Sequence, residues 1–198
     1  MISRFLRAGA EFERRLRLVT ADRWSGPTPC DEWTVRQLVN HVTRGNLNYI
    51  ALLHGASAAE FLALRDADAL GADPLAAFGA SLAETAAAFS APGALDLLLD
   101  YPLGPVRGAQ ALAVRTTDTV VHTWDLARAL GTDETLDAGL VSWTLSNLDT
   151  IYAGLAETPV SAETTHRFFA EPLGEVGSSS QELLLYRMGR RGVVHREA

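Results

Sequence analysis

Apolar residues in this chain recur at three- and four-residue spacings, segment after segment, with Gly and Pro between the segments. That period turns one stripe of a helix toward a core, whereas a half-buried strand needs strict alternation. Residues 2–22 place Phe5, Leu6, Phe12, Leu16 and Val19 at such spacings, with Arg and Glu filling the other face. The segment SGPTPCDEW, carrying Gly26, Pro27 and Pro29, breaks this helix. A second helix is predicted to open at Thr34, after Asp31 or Trp33, and to stop near Gly55. Its buried side is read as Val35, Leu38, Val39, Val42, Leu47, Ile50 and Leu53. A third runs from Pro74, a first-turn proline after Asp73, through Phe89, and its small, Ala-rich face permits close helix packing. The stretch APGALDLLLDYPLGPVRG reads as a long connection with room for a short extended segment. A fourth helix covers about Ala109–Leu130 and closes at Gly131, and a fifth covers about Asp137–Ala156. After Pro159 the chain reads as loop, through EPLGEVGSSS, before a short closing helix at Gln181–Met188. Strand signals are weak and no internal repeat is present, so the expected fold class is all-α.

At 198 residues the chain suits one domain, 1–198, that buries roughly 70% of its unfolded surface without disulfide staples. Its single Cys30 fits a reducing, cytoplasmic setting. The N-terminus alternates charged and apolar residues and carries no signal-peptide core. No stretch approaches 18 uncharged apolar residues, so no membrane span is expected. A formal net charge of −7 argues against a nucleic-acid partner, which would ask for a basic face. All 17 basic residues are Arg, and with the many Ala residues this resembles the coding bias of a high-GC bacterium.

The chemistry concentrates in TTDTVVHTWDLARALG, where Asp118 and His122 stand four residues apart. On a helix that spacing puts both on one face, roughly 5–6 Å apart at Cβ, so that a carboxylate and an imidazole can share one metal ion. An isolated pair of this kind is more often a solvated Asp and a packed His. Here Val120, Val121, Trp124, Leu126 and Ala129 surround the pair, and a carboxylate buried among them needs a partner or a metal. His41 sits in EWTVRQLVNHV, and spacing cannot link it to the pair. Taken alone, it reads as a core histidine.

WSGPTPCDEWTVRQLVNHV, followed downstream by DTVVHTWDLARALG, resembles the mycothiol-dependent maleylpyruvate isomerase N-terminal family, within the DinB-like superfamily of metal-binding four-helix bundles. The tail EPLGEVGSSSQELLLYRMGRR resembles that of a subgroup of uncharacterised metal-binding proteins ending near a Leu-Gly-Arg motif, which reads Met188-Gly189-Arg190 here. The resemblance implies a DinB-like four-helix bundle with additional short helices. It also implies one divalent metal held by His41, Asp118 and His122, with Asp118 standing where the isomerase branch has Glu. Three protein ligands leave positions open, as a catalytic or substrate-binding metal requires. Zn²⁺ suits the set best, with Ni²⁺, Mn²⁺ or Fe²⁺ as alternatives.

In such families the metal receives a low-molecular-weight thiol such as mycothiol and delivers it as a thiolate to an electrophilic small molecule. The resemblance therefore implies a thiol-dependent S-transferase or isomerase-like enzyme. Fewer than 40 residues follow position 160, too few for the isomerase's additional C-terminal domain, so maleylpyruvate isomerisation itself is not expected. A non-catalytic metal- or small-molecule-binding bundle, a metal-dependent hydrolase and an empty, degenerate site are the competing readings. A homodimer is left open.

Asp125, seven residues after Asp118, is a candidate to hydrogen-bond a ligand histidine from behind, or else to pair with Arg128 or a backbone amide. Trp33 and Trp124 are read either as lining the site or as core. Cys30 is read as a small packed residue, with no His near it in sequence. His54, His166 and His195 are read as surface or loop residues.

Overall fold

The computed structural model describes residues 1–30, 33–155 and 179–190. Helices α1 (Ile2–Leu16), α2 (Val35–Leu53), α4 (Pro74–Ser90) and α5 (Gly108–Leu130) form the bundle. A short α3 (Ala58–Ala63) follows α2, and α6 (Ala138–Ile151) and α7 (Ser180–Arg187) follow α5. Helix α1 packs on α5 and α4, α2 packs on α4 and α5, and α6 packs on α5 and α7. This is the expected all-α bundle with additional short helices. No described helix is long and apolar enough to cross a membrane.

Local chemistry explains most helix starts. Thr34 accepts from the Gln37 amide while the Gln37 side chain returns to the Thr34 amide, a reciprocal cap that opens α2. Asp73 caps α4 with Pro74 in its first turn, and Asp137 accepts from Leu140 N at 2.9 Å to start α6. Two ends fall short of expectation. Helix α1 ends at Leu16 rather than near residue 22, where Arg17, Leu18 and Val19 fold into tight turns and Thr20 bonds Asp22 instead of continuing the ladder. Helix α6 ends at Ile151 rather than Ala156, because Gly154 takes a φ of 73° in the turn that follows. Helix α3 is an addition to the expected helices, opened by a Ser57–Glu60 capping box. The proline-broken connection contains a 3₁₀ turn at Ala94–Asp96 and a two-residue antiparallel pair, β1 (Leu98–Leu99) with β2 (Val106–Arg107). Pro159, His166, His195 and most of EPLGEVGSSS lie outside the described residues.

The main core gathers Phe5 and Phe12 of α1, Leu38 and Val42 of α2, Phe78 and Phe89 of α4, and Leu112 and Leu126 of α5. Each such side chain contributes roughly 1.5–3 kcal/mol on burial. A second cluster joins Val121 and Trp124 of α5 to Leu140 of α6 and to Leu184 and Met188 at α7. Helix α5 is therefore central and buried nearly all round, including its polar residues. Thr116, Thr119 and Thr123 meet that burial by donating their hydroxyls to the carbonyls of Leu112, Arg115 and Thr119. Helix α2 turns its stripe slightly from the expected one. Asn46, Tyr49 and Leu52 point inward, whereas Leu47, Ile50 and Leu53 are half-buried. The rotation brings the Asn46 amide within reach of polar partners on α4 and α5.

Candidate metal centre

The middle of α5 delivers Asp118 and His122 to one side, and α2 brings His41 across from it. The Oδ1 atom of Asp118 lies 3.4 Å from Nε2 of His41 and 3.4 Å from Nε2 of His122. One donor atom from each of the three residues falls within 4.8 Å of the others, a group that could hold a metal ion. The imidazoles meet edge to face, with centroids 4.9 Å apart. Trp33 covers them, its ring 4.6 Å from His41 and 5.7 Å from His122. The His41 side chain is 25% exposed while that of His122 is 5%, so approach from solvent is on the His41 side.

A buried arginine organises the carboxylate. Arg115, one turn before Asp118 and 2% exposed, donates to Asp118 Oδ2 at 2.7 Å, to Asn46 Oδ1 at 3.0 Å and to the Val42 carbonyl at 3.0 Å. Asn46 in turn donates to Ser81 of α4 at 3.1 Å. The guanidinium reaches α2 because position 45 is glycine, and a Cβ there would collide with the Arg115 guanidinium. Oδ2 is thus committed to Arg115, and Oδ1 faces the histidines.

Behind His122, its Nδ1 lies 2.8 Å from Oδ2 of fully buried Asp125. Asp125 Oδ2 is a carboxylate acceptor, so Nδ1 carries a hydrogen, and Nε2 is the atom turned toward Asp118. Arg190 forks onto both oxygens of Asp125, at 2.9 Å and 2.7 Å. Arg128, the alternative partner, pairs with Glu134 instead. Cys30 sits half-buried with Sγ 3.5 Å from Asp125 Oδ2 and 3.5 Å from Arg190 Nη2. Thr28 shapes that loop by accepting from Cys30 N and donating to the Trp33 carbonyl.

Burial pushes the Asp118 carboxyl up, but His122, Arg115 and His41 together outweigh it and hold it well below the usual carboxylate range. Burial likewise opposes charge on His122, yet Asp118, Asp125 and Cys30 hold its pKa well above the ordinary imidazole value. His41 is lowered, chiefly by burial. Asp125 resists its own burial through His122 and Arg190, and its pKa is lowered.

The four-residue spacing puts Asp118 and His122 on one helical face, and the fold brings His41 to them. Arg115 is a site residue beyond those expected, and its one signal in the sequence is the spacing of three from Asp118 inside an apolar helix. The neighbourhood of Cys30 has no local signal, because His122 and Asp125 reach it across the fold. Trp124 is core, beneath the Arg128 guanidinium, and His54 is an exposed residue closing α2.

An all-α bundle whose central helix meets a second helix at two histidines and a carboxylate defines the class of this protein. The chain belongs to the family of the mycothiol maleylpyruvate isomerase N-terminal domain, whose profile it matches over residues 5–127. It is similar to two proteins described as uncharacterised, from Mycobacterium tuberculosis strains CDC 1551 / Oshkosh and ATCC 25618 / H37Rv. Each is 39% identical over 134 residues, which is 68% of this chain and 69% of the relative. No solved structure matches significantly.

Proposed function

We propose that this protein holds one divalent metal ion through His41 Nε2, Asp118 Oδ1 and His122 Nε2, and uses it to bind a low-molecular-weight thiol of the mycothiol type. The single observation that carries this reading is the convergence of those three donor atoms, from two helices, at a place open toward solvent on the His41 side. The donor set fits the group, because two imidazoles and one carboxylate oxygen suit Zn²⁺ first and Ni²⁺, Mn²⁺ or Fe²⁺ next. A divalent cation bound there would lower the pKa of a thiol or water donated to its open positions.

Charge balance supports an anionic ligand. The two buried carboxylates nearest the site are already matched by two arginines, Asp118 by Arg115 and Asp125 by Arg190. With neutral imidazoles this scaffold is close to neutral. A dication added to it carries charge that a thiolate offsets and a neutral ligand does not. The chain's own residues then have distinct tasks. Arg115 fixes which carboxylate oxygen faces the histidines, Asp125 orients His122, and Trp33 shields the imidazoles from bulk water.

The reaction class this favours is S-transfer to, or thiol-assisted isomerisation of, an electrophilic small molecule. A non-catalytic binding protein and a metal-dependent hydrolase use the same centre and are separated by assay. Elemental analysis of the purified protein, followed by titration of the metal-loaded form with mycothiol, is the deciding experiment. Metal at one equivalent, lost in His41→Ala and His122→Ala, with saturable thiol binding, is the expected result. Full metal in His41→Ala would overturn the ligand set, and a loaded protein that ignores thiols and electrophile panels would remove the transferase reading.

A further inference from the structure

Helix α7 ends in a way that aims one side chain. Gly189 adopts a φ of 67°, Gly189 N donates to the Tyr186 carbonyl at 3.0 Å, and Arg190 N donates to the Leu185 carbonyl at 2.8 Å. These paired reversed bonds are a Schellman cap, which needs the left-handed conformation that glycine adopts without strain. Leu184, Leu185 and Met188 anchor the same turn in the cluster formed with Val121 and Trp124 of α5. The backbone of Arg190 is therefore fixed relative to α5 before its side chain is placed. That side chain is 9% exposed and makes a two-pronged ion pair with Asp125, while its Nη1 bonds the Met188 carbonyl at 3.1 Å.

We propose that Arg190 is a positioning residue for the metal centre, acting through Asp125 to hold the His122 imidazole with Nε2 turned toward Asp118 and His41. The inference rests on the metal reading above. A carboxylate gripped at both oxygens cannot rotate, so its acceptor for His122 Nδ1–H stays in one place and the ring with it. A second group of donor atoms, from Cys30, His122 and Asp125, is also close enough to hold a cation. Arg190 already supplies the positive charge there, forking onto Asp125 and lying 3.5 Å from the Cys30 sulfur. The guanidinium thus commits Asp125 to support and leaves metal binding to the other edge of His122. A lysine could supply the charge at Asp125 but not the fork.

The test compares Zn²⁺ affinity, by competition with a chromophoric chelator, in the wild type, Arg190→Gln, Arg190→Lys, Gly189→Ala and His41→Ala. The ligand-field spectrum of the Co²⁺-loaded forms and thermal melting are recorded alongside. Arg190→Gln is expected to weaken metal binding by about 10–100-fold and to alter the Co²⁺ spectrum, with Arg190→Lys between it and the wild type. Gly189→Ala, which keeps the guanidinium but strains the cap, is expected to shift affinity in the same direction by less, and it serves where Arg190→Gln does not fold. If the Arg190 and Gly189 variants melt lower but bind metal and colour Co²⁺ as the wild type does, Arg190 is only a structural tie and the proposal falls. If His41→Ala loses metal while the Arg190 variants keep it, this proposal falls and the metal reading stands. A wild type that binds no metal removes both.

Discussion

Arg115 donates to Oδ2 of Asp118 at 2.7 Å and so leaves Oδ1 of the same carboxylate facing His41 and His122. The pair is one helical turn apart on α5 and almost fully buried, so each charge depends on the other.

Replacing Asp118 by Ala is expected to abolish metal retention and to destabilise the fold by about 3–5 kcal/mol, because the buried Arg115 guanidinium loses its counter-charge. Asp118→Asn keeps an acceptor for Arg115 and should cost less stability while still losing most metal affinity. Chemical denaturation paired with metal analysis of both variants reads the two effects separately.

Gly45→Ala addresses the same relationship from α2. The added Cβ would meet a guanidinium tethered to Asp118, Asn46 and Val42, which cannot simply swing aside. Overpacking of this kind costs roughly 1–3 kcal/mol. A midpoint unchanged in urea would mean that Arg115 relocates freely and does not orient Asp118.

Metal affinity is expected to rise with pH through the neutral range. The folded protein holds His122 protonated to a higher pH than a free imidazole, and a metal at Nε2 must displace that proton. The sign for the metal-free fold is opposite. A raised His122 pKa adds stability that is fully present below the unfolded imidazole value and is lost as pH rises through the folded one. Melting curves across pH 6–9, with and without Zn²⁺, should therefore diverge as pH increases (about one unit steps suffice, given the imidazole reference near 6.5).

Cys30→Ala separates the two donor groups that share His122. Cys30 groups with His122 and Asp125, beside Arg190, and not with His41 and Asp118. Full metal stoichiometry is expected in this variant, with a loss of stability of about 1 kcal/mol or less from a half-buried small side chain. Loss of the metal would move the site to the Cys30 edge of His122.

The helices were legible to different depths. The cap chemistry of Asp73 and Gly131 is local, and the corresponding ends of α4 and α5 fall where it puts them, while α2 opens at Val35 rather than Thr34 because Thr34 is itself the cap in place of Asp31 or Trp33. The end of α1 was not legible, because the apolar spacing through Val19 continues after the backbone has turned away. Asn46 was invisible as a core residue, since a buried amide is tolerated only where Arg115 and Ser81 satisfy it. Arg190 stood in the Met188-Gly189-Arg190 motif, but nothing in the motif names Asp125 as its partner.

By itself the sequence determined that the chain is helical and that Asp118 and His122 share a face, because helix period and i, i+4 geometry act within a few residues. Only the tertiary structure decided that His41, 77 residues from Asp118, meets them, and that Arg115 and Arg190 each take a carboxylate. Those contacts follow from how α2, α5 and α7 pack, and packing depends on the shapes of all three surfaces together rather than on spacing along any one.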